Sequence, residues 1–103
     1  MNIAKMMKQA QQMQGNMQAM QAELAARTVE ASIAGKVLVV ANGAGDVLSI
    51  KIDPSVVTAD DVEMLEDLVL TGVRQAIAMA RDMAADEMKK ITARMGLPPG
   101  MGL

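Results

Sequence analysis

Two apolar runs joined by a glycine-rich turn lie at the centre of the chain. The first, Val37–Ala41, is apolar at every position, whereas the second, Val47–Ile52, alternates between apolar and polar residues. The turn between them reads NGAGD, and glycine and asparagine accept the positive φ that tight hairpin turns need. The pattern predicts two antiparallel strands, the second with one buried face. Because the first is apolar on both faces, a partner subunit is expected to cover it, with an interface at Val37, Leu38, Val39 and Val40.

A shorter alternating run precedes this hairpin. Within Thr28–Ala34, three apolar residues alternate with polar ones, which predicts another strand. The dipeptide Ala34-Gly35 fits a tight turn into the hairpin, and Asp53-Pro54 ends the last strand because proline cannot donate to a ladder. The three strands are therefore expected to form an antiparallel meander.

Helical periodicity flanks the strands on both sides. After the strands, a second helix is predicted from Thr58 or Ala59 to about Met95. Thr58 and Asp61 would form a capping box at its start, and Gly96 would end it. Before the strands, apolar residues recur at steps of three and four, which predicts a long first helix with a narrow stripe for packing against another helix. The stripe consists of Ile3, Met6, Ala10, Met13, Met17, Met20 and Leu24.

These elements predict an α+β fold of the order αβββα, with a three-stranded antiparallel meander between two long helices. Residues 1–95 are expected to form one domain and residues 96–103 a flexible C-terminal tail. Helices of roughly 37 and 55 Å are much longer than a strand of about 23 Å. The second helix is therefore expected to cross the sheet and project beside the first, so that the start of one and the end of the other share a distal tip.

Composition excludes several kinds of chemistry. The chain has no cysteine, histidine or aromatic residue, so the usual nucleophile–base pairs and zinc sites cannot be built. We expect no enzyme activity, no catalytic residue, no metal, no cofactor and no small-molecule substrate. The lack of cysteine fits a reducing cytoplasm. No apolar run approaches the roughly 20 residues that span a bilayer, and the N-terminus lacks the apolar segment of a secretory signal, so no membrane partner is expected.

Charge is distributed unevenly around a net value of −2. Five acids fall within residues 60–67, and the bases lie towards both ends of the chain. A basic tip predicts contact with nucleic-acid phosphates, although a solubilising surface is the alternative interpretation. Without aromatic side chains, base stacking is excluded as the main source of affinity. The tip would carry Lys5, Lys8, Lys89, Lys90 and Arg94.

Two other features have alternative interpretations. The methionine stripe of the first helix indicates helix–helix packing, but a Met-lined groove for apolar peptides or soft-metal binding by Met13, Met17 and Met20 would use the same residues. The acids from Asp60 to Asp67 indicate a solvated first helical turn, with divalent-cation binding as the alternative.

The chain resembles the YbaB/EbfC family of bacterial nucleoid-associated proteins. The resemblance rests on the element order and on four motifs, MKQAQQMQ, VLVVANGAGDVLSIKIDP, MLEDLV and LPPGM, which begin at residues 7, 37, 64 and 97. It covers nearly the whole chain. It implies a tweezer-shaped homodimer without enzymatic activity, located in the cytoplasm on the nucleoid.

The resemblance also implies a partner and a site. The partner is double-stranded DNA, bound with little sequence preference, with effects on nucleoid organisation or gene expression. A Met-rich adaptor or chaperone-like protein that binds apolar segments of other proteins is the rival hypothesis. By position, the DNA contacts of the family carry over to Lys5, Lys8, Arg81, Lys89, Lys90 and Arg94.

Overall fold

A three-stranded sheet with one helix before it and one after it forms the subunit. The computed structural model describes residues 2–94. In chain order the elements are α1 (Ile3–Ala26), β1 (Thr28–Ile33), β2 (Val37–Asn42), β3 (Val47–Ile52), a 3₁₀ turn (Pro54–Val56) and α2 (Val62–Arg94). The predicted αβββα order and α+β class are confirmed. The predicted end of the second helix at Met95 and the predicted tail, residues 96–103, lie outside the described residues.

The sheet is an antiparallel meander with the strand order β1-β2-β3. Ala31 lies opposite Val39, and Val39 lies opposite Ile50, so these three residues share one face of the sheet. A β-bulge between Val40 and Ala41 shifts the register of the β2–β3 pair near the turn. Between β1 and β2, Ala34 and Gly35 both have positive φ, 54° and 67°, and the amide of Lys36 donates to the carbonyl of Ile33. The predicted tight turn at Ala34-Gly35 is confirmed.

The core lies between this face of the sheet and α2. Val37 and Val39 are 1% and 0% exposed, and they form one cluster with Ala31, Ala41 and Ala76. Burying a valine side chain contributes roughly 1.5–3 kcal/mol. The helix comes close at Gly72, where an added Cβ would lie 2.8 Å from Val39 Cγ2. Partly buried residues of α2 complete the contact: Leu68, Val69, Val73 and Met79.

The apolar character of β2 is explained on one face by α2 of the same subunit. Val37 and Val39 are already covered there, so cover from a partner can fall only on Leu38 and Val40, which are half-buried on the opposite face. As expected, α2 crosses the sheet, but it covers only one face of β2, so the need for a partner concerns only the other face. The interface at these four residues stays a prediction.

The start of α2 differs from the sequence expectation of Thr58 or Ala59. The helix begins at Val62, and Asp61 Oδ1 accepts the amide of Met64 at 3.0 Å, which is an N-cap contact. Thr58 Oγ1 accepts the amide of Asp60 instead, within a turn before the helix. Thr58 and Asp61 therefore do not form the predicted capping box. Between β3 and Asp61 the chain first forms the 3₁₀ turn, and Asp53 caps that turn by accepting the amide of Ser55.

The first helix is covered only near its C-terminus. Met20 and Leu24 are 7% and 4% exposed, whereas Ile3, Met6 and Met13 at the start of the same stripe are largely exposed. The helices are about 36 and 50 Å long at 1.5 Å per residue, and the molecule extends 70 × 22 × 16 Å. The subunit is elongated because most of α1 projects from the sheet. Neither helix within residues 2–94 combines the length and hydropathy of a membrane span.

Candidate nucleic-acid interface

The predicted DNA-binding residues lie on the two helices. Lys5 and Lys8 are exposed on the projecting part of α1, and Arg81, Lys89 and Lys90 are exposed on α2. Arg94 is the last residue of α2, and its side chain lies outside the described part of the chain. Both helices therefore present cations to solvent, as the sequence predicts.

The cations form two groups rather than a single tip. Lys90 Nζ lies 3.2 Å from Glu87 Oε1, and Arg27 Nη1, just beyond the end of α1, lies 2.7 Å from the same oxygen. Lys5 precedes Arg27 by 22 residues, which places it about 33 Å away along α1. The expectation of one shared tip is wrong, because α1 meets α2 near Glu87 at the C-terminal end of α1. The start of α1, which carries Lys5, lies far from this point. The basic residues instead follow the long axis of the molecule.

The ion pairs at Glu87 were not predicted from the sequence. Hydrogen bonds from Lys90 and then from Arg27 hold the pKa of Glu87 below its ordinary value. Among the five cations with described side chains, Lys90 is the only one in an ion pair within residues 2–94. The Glu87–Lys90 pair could have been predicted, because residues three positions apart on a helix are neighbours. Nothing in the sequence pattern linked Arg27 to it.

The end of α1 is fixed by the turn between β2 and β3. The amide of Gly43 donates to the carbonyls of Leu24 and Arg27 at 2.9 and 3.0 Å. Asn42, 5% exposed, accepts the amides of Ala44 and Asp46 through its side-chain oxygen. In this turn the positive φ falls on Gly45, at 94°, and not on Asn42 or Gly43. The turn therefore supports the helix that carries Lys5 and Lys8.

The acidic residues lie at the other end of α2. Asp61, Glu63 and Asp67 line a shallow depression at the start of the helix, about 39 Å from Lys89 at 1.5 Å per residue. Asp61 caps the helix, as described above. No group of residues that could hold a metal ion is found within residues 2–94. The acids at the start of α2 therefore lie far from the basic groups, but Asp82, Asp86 and Glu87 are interspersed with the cations of α2 and reduce the positive charge there.

The chemistry available at this surface is neutralisation of phosphate charge. Lysine ammonium groups act as mobile point charges, which suits contacts with a backbone rather than a bidentate contact with one base edge. With no aromatic side chain in the chain, stacking on bases is not available. Such a surface favours an anionic polymer, and it carries little information about base sequence.

Comparison with known proteins identifies relatives over nearly the whole chain. A nucleoid-associated protein of Thermoanaerobacter sp. (strain X514) is 53% identical over 98 residues, covering 94% of this chain and 88% of the relative. A nucleoid-associated protein of Akkermansia muciniphila is 48% identical over 103 residues, covering 99% of each chain. A nucleoid-associated protein of Clostridium novyi (strain NT) is 50% identical over 99 residues, covering 95% of this chain and 87% of the relative.

The sequence profile of one family matches residues 1–95, which include every element of the fold. That match agrees with the motifs in the sequence and with the αβββα architecture of the structure. The chain belongs to the YbaB/EbfC DNA-binding family.

Proposed function

We propose that this protein is a non-enzymatic, nucleoid-associated DNA-binding protein. The proposal is that it binds duplex DNA with low sequence specificity through Lys5 and Lys8 of α1 and Arg81, Lys89, Lys90 and Arg94 of α2. One structural observation carries it: two groups of exposed cations follow the long axis of an extended subunit, well separated from its acidic end. Membership of a DNA-binding family and relatives named nucleoid-associated proteins support it.

Phosphate contact is the proposed source of affinity. Each cation that neutralises a phosphate releases condensed counterions, and log K falls with log salt with a slope of about −0.9 per contact. Four lysines per subunit in contact with DNA would give a slope of about −3.6 for each subunit. Because such contacts fix position without reading bases, the expected sequence preference is weak. Effects on nucleoid organisation and gene expression would follow from occupancy along the chromosome.

A homodimer is the proposed working form. Apolar side chains remain exposed along β3, which is also an edge strand with unpaired backbone groups: Val47, Leu48, Ile50 and Ile52 are 39%, 54%, 41% and 39% exposed. An exposed edge strand is a template for pairing with another chain, and a contiguous exposed apolar patch is typical of an interaction surface. Leu38 and Val40 of the neighbouring strand lie on the other face of the sheet, beside Lys51 and Ser49, so a second copy would cover them only by wrapping around the β3 edge. Dimerisation would also double the number of basic helices that reach one duplex.

A second candidate function uses the same projecting helix. Ile3, Met6, Met7 and Met13 of α1 are 70%, 53%, 61% and 44% exposed, and methionine adapts to varied apolar partners. The protein would then act as an adaptor or chaperone-like protein for apolar protein segments. The two hypotheses differ in their response to salt, because phosphate contacts weaken steeply as salt rises and apolar contacts do not.

A fluorescence-anisotropy titration of a labelled random duplex at several salt concentrations tests the proposal. DNA binding predicts a steep fall of affinity with salt and similar affinities for unrelated duplex sequences. Absence of binding at low salt by the folded protein would favour the adaptor hypothesis.

A further inference from the structure

Gly43 lies at the point where α1 leaves the body of the molecule. It is buried, and its amide donates to the carbonyl of Leu24 in the last turn of α1 and to that of Arg27 just beyond it. Carbonyl groups at a helix C-terminus lack partners within the helix. Here a residue from a distant turn supplies the donor, so the end of α1 is attached to the β2–β3 turn.

The glycine at this position is required for close approach and not for backbone conformation. Gly43 does not adopt a positive φ, unlike Gly35 and Gly45. An added Cβ would lie 2.8 Å from Leu24 Cδ2, 2.9 Å from the Leu24 carbonyl oxygen and 3.0 Å from Met83 Sδ. Two of these three atoms belong to α1 and the third to α2. A larger residue would therefore push α1 away from the turn and from α2.

The turn itself is held by its own hydrogen bonds. Asn42 accepts the amide of Gly45 through its backbone carbonyl, and its side-chain oxygen accepts the amides of Ala44 and Asp46 at 3.1 and 3.0 Å. Asn42 is also the one buried polar side chain within residues 2–94. Because movement of the turn would break these hydrogen bonds, we expect a clash at Gly43 to be relieved more readily by movement of α1.

A small rotation at this point is amplified along α1. Lys5 precedes Leu24 by 19 residues, about 28 Å at 1.5 Å per residue. A rotation of about 10° at Leu24 would displace Lys5 by about 5 Å. A direct ion pair requires the two charged atoms to lie within about 4 Å. A change of this size is therefore enough to remove a lysine–phosphate contact.

We propose that Gly43 is a positioning residue for DNA binding, which fixes the direction of α1 so that Lys5 and Lys8 meet the duplex together with the cations of α2. The inference rests on the proposed function. It assigns a role to a residue that carries no charge and does not itself touch DNA.

The test combines a distance measurement with a titration. The chain contains no cysteine, so spin labels can be placed at exposed Gln12 of α1 and exposed Gln75 of α2 through introduced cysteines. Dilution with unlabelled protein leaves one labelled chain per dimer. The Gly43→Ala variant should shift the Gln12–Gln75 distance by several ångströms. Gly15→Ala is the matched control, because a Cβ there meets no described atom within 4 Å, and it should leave the distance unchanged.

DNA affinity separates positioning from general damage. Gly43→Ala should weaken binding by at least about tenfold, the scale expected from loss of the Lys5 and Lys8 contacts. When Gly43→Ala is added to the Lys5→Ala/Lys8→Ala variant, it should cause no additional loss of affinity. If Gly43→Ala does not fold, Ala25→Gly loosens the same turn of α1 from an exposed position and should broaden the distance distribution with the same pattern of affinities.

Two results would overturn this inference without affecting the proposed function. One is a Gly43→Ala variant whose α1 has moved but which binds DNA with wild-type affinity. The other is a Gly43→Ala substitution that weakens binding as much in the Lys5→Ala/Lys8→Ala background as in the wild type. A wild-type protein that does not bind DNA would overturn the proposed function, and this inference with it.

Discussion

Arg27 Nη1 lies 2.7 Å from Glu87 Oε1, although the two residues are 60 positions apart in the chain. The contact joins the end of α1 to the exposed part of α2, next to the Gly43 amide that holds the same end of α1. Lys90 shares the Glu87 carboxylate, so one acid neutralises two cations near the proposed DNA-binding surface. This cluster fixes where the two helices meet, and thereby how the two basic groups are spaced.

The Glu87 cluster predicts a pH dependence of stability. The pKa of Glu87 is lowered in the folded protein from 4.5, chiefly by Lys90 and then by Arg27. The folded state therefore binds fewer protons, and the stabilisation is present above pH 4.5 and is lost as pH falls through the lower folded value. The free energy of unfolding should fall less steeply below pH 4.5 in Glu87→Gln than in the wild type, as measured by urea titration at fixed protein concentration.

Two controls accompany this prediction. Glu66→Gln removes an exposed carboxylate that forms no ion pair within residues 2–94 and controls for net charge. The pKa of Asp53 is also lowered, chiefly by the Ser55 amide, so some acid sensitivity should remain in Glu87→Gln. Identical pH profiles for Glu87→Gln and the wild type would contradict the role given to the cluster.

The close approach of α2 to the sheet predicts the effect of Gly72→Ala. The added methyl group would lie 2.8 Å from Val39 Cγ2 in the core. Overpacking a core typically costs about 1–3 kcal/mol, against a gain of about 1 kcal/mol from replacing glycine by alanine in a helix. The variant should therefore be destabilised by up to about 2 kcal/mol in urea unfolding. Gly15→Ala, with open space around it, should be stabilised, and equal effects in the two variants would contradict the packing argument.

The observed start of α2 predicts which cap residue matters. Asp61 accepts the amide of Met64, so Asp61→Ala should lower the free energy of unfolding by about 1 kcal/mol. Thr58 accepts an amide outside the helix, and Thr58→Ala should change stability by less than about 0.5 kcal/mol. Thermal or urea unfolding of both variants measures the difference. A larger loss of stability in Thr58→Ala than in Asp61→Ala would contradict Asp61 as the cap and favour a helix that starts at Thr58.

The exposed side chains of β3 predict the site of dimerisation. Leu48 is 54% exposed, and Leu48→Lys would place a charge on the surface proposed to meet the second copy. Sedimentation velocity at micromolar concentration should show a dimer for the wild type and a shift towards monomer for Leu48→Lys. Gln75→Lys, at an exposed position of α2 outside the proposed surface, is the control and should remain dimeric. A monomeric wild type would contradict both the dimer and the paired helical arms.

Local patterns were sufficient to predict the order of elements and the class of fold. The alternation in β1 and β3, the helical stripe in α1 and the Ala34-Gly35 turn each depend on residues close together in the chain. The start of α2 was missed because Thr58 and Asp61 are both good cap residues. Only the 3₁₀ turn at Pro54–Val56, stabilised by Asp53 and Ser55, shows that Thr58 precedes the helix.

Features that depend on distant contacts could not be predicted. Gly43 is a turn residue, as the pattern predicts, but its neighbours are Leu24 and Met83, which no local pattern connects to it. The two separate basic groups follow from the position at which α1 meets α2, and this position is set by the Gly43 and Glu87 contacts. Lys5, Lys8, Arg81, Lys89 and Lys90 are exposed helix residues, as the sequence predicts, but they do not share one tip.

The central claim is that lysines on the projecting helices bind DNA phosphates. The most direct test compares three double variants with the wild type by anisotropy titration of a random duplex over several salt concentrations. Two of them, Lys5→Ala/Lys8→Ala and Lys89→Ala/Lys90→Ala, remove charges from the proposed interface. The third, Lys36→Ala/Lys51→Ala, removes the same charge from the sheet and its β1–β2 turn, together with the Lys36–Asp53 ion pair, and serves as the matched control.

The account predicts weaker binding and a salt slope shallower by about 1.8 per subunit in each helix variant, with a wild-type slope in the sheet variant. Equal losses in all three would mean that net charge alone matters, and wild-type slopes in both helix variants would mean that DNA does not contact these lysines. Either result would contradict the account.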